Sequence, residues 1–266
     1  MDADDFGAKY LAALAAQPSV PSDTGEGADE PDVLMATAQD ASRPVAERLS
    51  ALQQLNARAF NMIEFAPYAA RFDQMLKSLC TDKSAKVRLA AFQRLGLSPD
   101  AETRRLLHDS LAGTGEKLVP DLVAATLLGF DDHASSRDLL AQLAGNSDGK
   151  LRRAALRGLS GDPSMAGRLR AIATDRTELS KVRQTAALAL KSASASDFAD
   201  MAQQLVADPT EDSALRALTM SALAHGGEVR AAAAASGFSA RLDDVAANTM
   251  SRSLKRSIKL FKQMAK

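Results

Sequence analysis

Tryptophan is absent from this chain, tyrosine occurs twice, and aromatic residues together make up 4% of it. With so few large rings and no β-branched runs, the chain does not read as a sheet protein, whose strands are built from those residue types. Cysteine occurs once, as Cys80, which excludes an intrachain disulfide and makes a reducing compartment, the cytoplasm, the expected location. The opening Met1-Asp2-Ala3-Asp4-Asp5 lacks the basic start and apolar core of a secretory signal. No stretch approaches the roughly 18 uncharged apolar residues of a membrane span. A bias of charge is also missing: 33 Lys and Arg stand against 33 Asp and Glu, so bulk electrostatics favour neither nucleic acid nor an anionic surface.

Alanine-rich helical sequence takes the place of what is missing, with apolar residues at 46% of the chain. One phrase recurs: an apolar residue, then Arg, then small or apolar residues three to five places on, and Leu at the eighth. It runs Val87-Arg88 to Leu95, Leu151-Arg152 to Leu159, and Val182-Arg183 to Leu190. Looser copies start at Glu47, Pro120 and Leu215, giving intervals of 40, 33, 31, 31 and 33 residues. Spacing in that range marks a stack of helix pairs. Partner helices are expected at 68–79, 102–111, 136–143, 165–172 and 198–206, separated by breakers such as Gly161-Asp162-Pro163 and Asp208-Pro209.

Phrase, period and pairing together resemble the HEAT-repeat family, especially its short bacterial HEAT-like members, over roughly 40–223. The resemblance implies an all-α, right-handed α-solenoid, here of five to seven helix pairs. It implies little about function, because the family spans transport receptors, phosphatase scaffolds, phycobilin lyases and a DNA-glycosylase branch. The expected organisation is an acidic segment over 1–31 with a short helix at 5–16, a repeat array over 32–250, and a basic amphipathic helix over 251–266. The ends differ in charge. Residues 1–32 hold eight acids and one base, whereas 250–266 hold six bases and no acid.

On a helical wheel the Arg of the phrase shares an arc of roughly 140° with its small and apolar positions. Arg88, Arg152, Arg183 and Arg216 are therefore expected as a structural ladder inside the packed seam, paired with carboxylates as buried guanidinium groups must be. Acids in the turns just upstream, Asp40, Asp82, Asp148, Asp175 and Asp208, are the expected partners, similar to the Asp–Arg ladder of the HEAT family. The opposite side of the same helices carries Lys86 and Gln93, then Lys150, Arg153 and Arg157, then Lys181 and Gln184. With Lys255, Lys259 and Lys262 of the C-terminal helix, these are the expected partner-binding residues, suited to an acidic protein or peptide.

Signs of chemistry are sparse. His108, His133 and His225 have no companion at metal-ligand spacing, so the ligands of the family's metal-dependent hydroxylase branch are not matched, and no metal site is expected. Gly113-Thr114-Gly115-Glu116-Lys117 lacks the spacing of a phosphate loop. The sequence thus leads to a non-catalytic interaction scaffold or adaptor without a cofactor, and not to an enzyme. Nucleic-acid binding is the alternative, weakened by the zero net charge and the few aromatics.

Overall fold

The computed structural model describes residues 31–97, 99–130, 134–235 and 237–264. The expected helix at 5–16, the acidic linker before Pro31, and His133 lie outside them. Every regular element among the described residues is helical. The order is α1 (Pro31–Gln39), α2 (Val45–Arg58), α3 (Met62–Leu79), α4 (Ala85–Leu95), α5 (Ala101–Ala112), α6 (Asp121–Leu128), α7 (Ala134–Leu143) and α8 (Gly149–Gly158). A short 3-10 turn at Pro163–Met165 leads into α9 (Ala166–Thr174), followed by α10 (Ser180–Ala193), α11 (Ala195–Ala207), α12 (Ser213–His225), α13 (Gly227–Ala235), α14 (Phe238–Asn248) and α15 (Arg252–Met264). The fold is all-α, of the helix–turn–helix solenoid class, and the recurring phrase lies on the even-numbered helices.

Four of the described helices start where a side chain satisfies end groups that a helix leaves open. Asp100 accepts the Thr103 amide at the head of α5, Asp148 that of Lys150 in α8, Ser194 that of Asp197 in α11, and Asp212 that of Leu215 in α12. Helix α5 ends on Gly113, whose φ of 74° lies in the left-handed region that glycine enters without penalty. Helix α3 begins earlier than its amphipathic stripe predicts, because its first turn is exposed: Met62 is 78% and Ile63 88% accessible. Pro67 sits inside this helix.

The contacts divide the chain into two compact units, one ending at Pro120 and one beginning at Asp121. In the first unit α2 packs on α1 and α4, and α3 on α1 and α4, around Leu52, Leu55, Phe72, Leu76 and Phe92. In the second unit the even helices follow one another in contact, α6 on α8, α8 on α10, and α10 on α12. Buried alanines such as Ala155, Ala186 and Ala187 permit this close approach. The tightest point is Gly158, where an added Cβ would lie 2.7 Å from the Cα of Gly129.

Helix α15 packs on α12 and α14. Its stripe of Leu254, Ile258 and Phe261 is buried, and the Phe261 ring meets Phe238 edge-on at 6.2 Å. It therefore covers the apolar side of α12, while Lys255 and Lys259 stay exposed and Lys262 pairs with Asp243.

Candidate functional site

The repeated arginines are joined into rungs. Arg183 donates from Nε to the carbonyl of Ala173, 2.9 Å away at the end of α9, and from both terminal nitrogens to Glu211 at 2.8 and 2.6 Å. Arg48 does the same with Ala38 and Asp82. Arg152 bonds the carbonyl of Ala144 and pairs with Glu178. Each of these arginines thus ties its own repeat to the turn that opens the next phrase helix. This corrects the expected pairing with acids just upstream: Asp82 serves Arg48 of the preceding repeat, while Arg88 bonds only carbonyl oxygens, those of Leu118, Asp82 and Lys83.

The other upstream acids have a different task. Asp40, Asp175 and Asp208 each accept the amide and hydroxyl of the residue two places on, Ser42, Thr177 and Thr210. A short polar side chain in a turn makes this local bond readily, because it closes a ring with its own backbone. The bonds lower the pKa of all three carboxyls below the ordinary Asp value. The local bond engages one carboxylate oxygen; the other oxygen of Asp208 takes Arg176 of the preceding turn and not Arg216 of its own repeat.

A groove of about 500 Å³ opens between α2 and α4 of the first unit. Leu49, Gln53 and Asn56 line one wall, and Ala90, Gln93 and Arg94 the other. Phe60 and Leu97, 72% and 45% exposed, flank it at the helix ends. The lining is mainly apolar, and its volume falls within the range of ligand and peptide sites, roughly 300–1,000 Å³. The side-chain oxygen of Asn56 is buried in the wall and has no hydrogen-bond partner. Such an acceptor costs about 1–3 kcal/mol unless a donor reaches it.

Of the expected partner-binding residues, only Gln93 lies in this groove. Lys86, Lys150, Arg157 and Lys181 are exposed on their helices, and Gln184 is half-buried. Arg153 is buried at 6% accessibility and does not belong to an exposed row, because α8 is flanked by α6, α7 and α10. Sequence reasoning missed Leu49, Gln53 and Asn56. The signal was present, since Ala46, Leu49 and Gln53 occupy in α2 the places that Lys86, Leu89 and Gln93 hold in α4.

Among the described residues no group of three or more His, Cys, Asp or Glu is placed to hold a metal, and no helix is long and apolar enough to cross a membrane. Cys80 is buried, and burial pushes its thiol pKa up to about 12.

No family model and no curated protein match the chain. Among solved structures it is similar to the complex of CpcE and CpcF of phycocyanin lyase from Nostoc sp. PCC7120, at 17% identity and a TM-score of 0.49, over 93% of this chain and all of the other. It is also similar to human deoxyhypusine hydroxylase in complex with glycerol, at 18% identity and a TM-score of 0.36, over 88% of this chain and 95% of the other. These neighbours correct the expectation that the chain is not an enzyme, since both are named for enzymes. The lack of a familiar catalytic motif in the sequence does not exclude activity.

Proposed function

We propose that the chain binds a partner protein through the groove between α2 and α4, taking up an amphipathic helical segment of that partner. The supporting observation is an apolar cleft bordered by exposed Phe60 and Leu97, large apolar side chains of the kind that mark interaction surfaces when grouped. Helix-in-groove recognition needs an apolar floor for anchor side chains and polar groups at the rim to set register. The floor is supplied by Leu49, Leu52 and Ala90. Arg94 at the edge favours an acidic residue on the partner, and Gln93 supplies a second polar contact.

The test is capture from the native host with the wild type and with a Phe60→Glu/Leu97→Glu variant. Both residues are exposed, so the variant should keep its circular dichroism and melting temperature. A partner held by the wild type and lost from the variant supports the groove. The same partner retained undiminished by a folded variant would rule it out, and salt-sensitive retention on heparin would point to nucleic acid instead.

A further inference from the structure

The rung at Arg216, in the second unit, is open. Arg216 is 6% exposed, and both Nε and Nη2 converge on one acceptor, the carbonyl of Val206, at 3.1 and 2.8 Å. Among the described residues it forms no ion pair. The charges near enough to act on it, Asp208 and Glu211, are engaged by Arg176 and Arg183. Burial holds its pKa below the ordinary arginine value, so the environment does not fully compensate the charge. Buried guanidinium groups are ordinarily paired, because the uncompensated charge is costly.

The missing partner can be located by register. Glu178 and Glu211 each stand two residues before the first residue of the next even helix, Ser180 and Ser213. Helix α15 packs on α12 as α12 packs on α10, although two helices and not one lie between them in sequence, and it begins at Arg252. The corresponding residue is Met250, which is 95% exposed and carries no charge. In place of a rung there is a cleft of about 590 Å³, lined by Pro209, Ser213, Arg216, Asn248 and Met250, with two acids in its lining: Glu211, already paired with Arg183, and the exposed Asp244.

We propose that this cleft is a carboxylate-binding site, in which an acid from outside the chain completes the pair that Glu178 and Glu211 complete in the neighbouring rungs. A planar guanidinium at the foot of a cleft with Nη1 uncommitted presents the geometry that carboxylates match. Ser213 and Asn248 line the same space, and the Ser213 hydroxyl and the second N–H of the Asn248 amide, whose first donates to the Asp244 carbonyl, can donate to the second oxygen. The acid is either a free dicarboxylate or a glutamate or aspartate side chain.

The experiment follows the arginine Nε–Hε signals of the full-length chain by NMR, the Arg216 signal being the one missing from Arg216→Lys. The probes are glutarate, a blocked alanine peptide with one glutamate, and the same peptide with glutamine. Saturable shifts with glutarate or the glutamate peptide, and none with the glutamine peptide, are expected; which carboxylate binds more tightly identifies the source. Met250→Glu should fill the site from within, weaken probe binding at least about tenfold, and raise the melting temperature, while Met250→Gln should do neither. The assignment is overturned if neither carboxylate shifts the signal, if sulfate shifts it as strongly, or if Met250→Glu binds the probes undiminished. The Met250 variants decide the question even where Arg216→Lys does not fold.

Discussion

Replacing Arg183 by Met removes a guanidinium that is almost wholly buried with its partner; the Arg183 and Glu211 side chains are 5% and 3% exposed. Breaking a buried pair from one side costs about 3–5 kcal/mol, mostly because the remaining charge is left without compensation. Glu211 keeps the Asp212 amide at 2.6 Å, so the expected loss lies at the low end, about 3 kcal/mol. For a body of this size that corresponds to a melting temperature lower by roughly 10 °C. Glu211→Leu alone should cost a similar amount, but Arg183→Met/Glu211→Leu should recover most of it, because an apolar pair of similar volume is often neutral. Urea unfolding followed by circular dichroism gives the coupling energy from the four proteins. The hydrogen bonds from Arg183 lower the Glu211 carboxyl pKa below its ordinary 4.5, against the opposing effect of burial. A carboxyl with a depressed folded value stabilises fully above the unfolded value and loses that contribution as pH falls through the folded one. The wild-type excess over the double variant should therefore be constant near neutrality and shrink below about pH 4.5. Additive single effects, or a loss under about 1 kcal/mol for Arg183→Met, would refute the account of the rungs.

Gly158→Ala should destabilise by about 1–3 kcal/mol, because the new methyl meets backbone that cannot yield, while Gly167→Ala, with open space at its Cβ, should be neutral or stabilising; urea midpoints at constant slope compare the two. Phe261→Ala should cost about 3–5 kcal/mol by emptying the wholly buried contact of α15 with Phe238, measurable in the same way, and a loss under about 1 kcal/mol would mean that α15 does not close the apolar side of α12. Cys80 should be inert to a thiol-disulfide reagent at pH 8 in the native protein and react at once in urea, since burial both shields it and disfavours its thiolate. Rapid labelling without denaturant would show that the α3–α4 turn opens readily.

The all-helical stack was legible because each repeat carries the same apolar spacing, and small residues at fixed positions report packing whatever the helix contacts. The inward placement of the phrase arginines could be read from the wheel for the same reason. Their acid partners could not. A turn acid adjacent in sequence is claimed by its own backbone, as Asp175 is by Thr177, whereas the partner of Arg152 lies a repeat away at Glu178, a distance that only the stacking of helices sets. The groove was half legible. Gln93 was placed on the open face, but the matching residues of α2 were passed over because Glu47 spoils the phrase there, although Leu49 and Gln53 keep the register. Arg153 was misplaced because a wheel treats one helix in isolation and α8 has neighbours on several sides.

In the second unit, the rungs Arg152–Glu178 and Arg183–Glu211 are consecutive: each begins in one repeat and ends at the threshold of the next. Considered as a one-dimensional chain of folding units, each rung adds to the coupling between neighbours, and its loss lowers the free-energy cost of a boundary between folded and unfolded repeats. The segment from α8 to α12 should then exchange its amide hydrogens as one block. Beyond Arg216 no ion pair among the described residues continues the ladder, and α13 to α15 are held on α11 and α12 by packing and by the hydrogen bond from Arg241 to Gln203, so they can fray as a separate block at lower free energy. An acid bound at Arg216 would merge the two blocks, and a ligand that touches a single arginine would then slow hydrogen exchange across three helices.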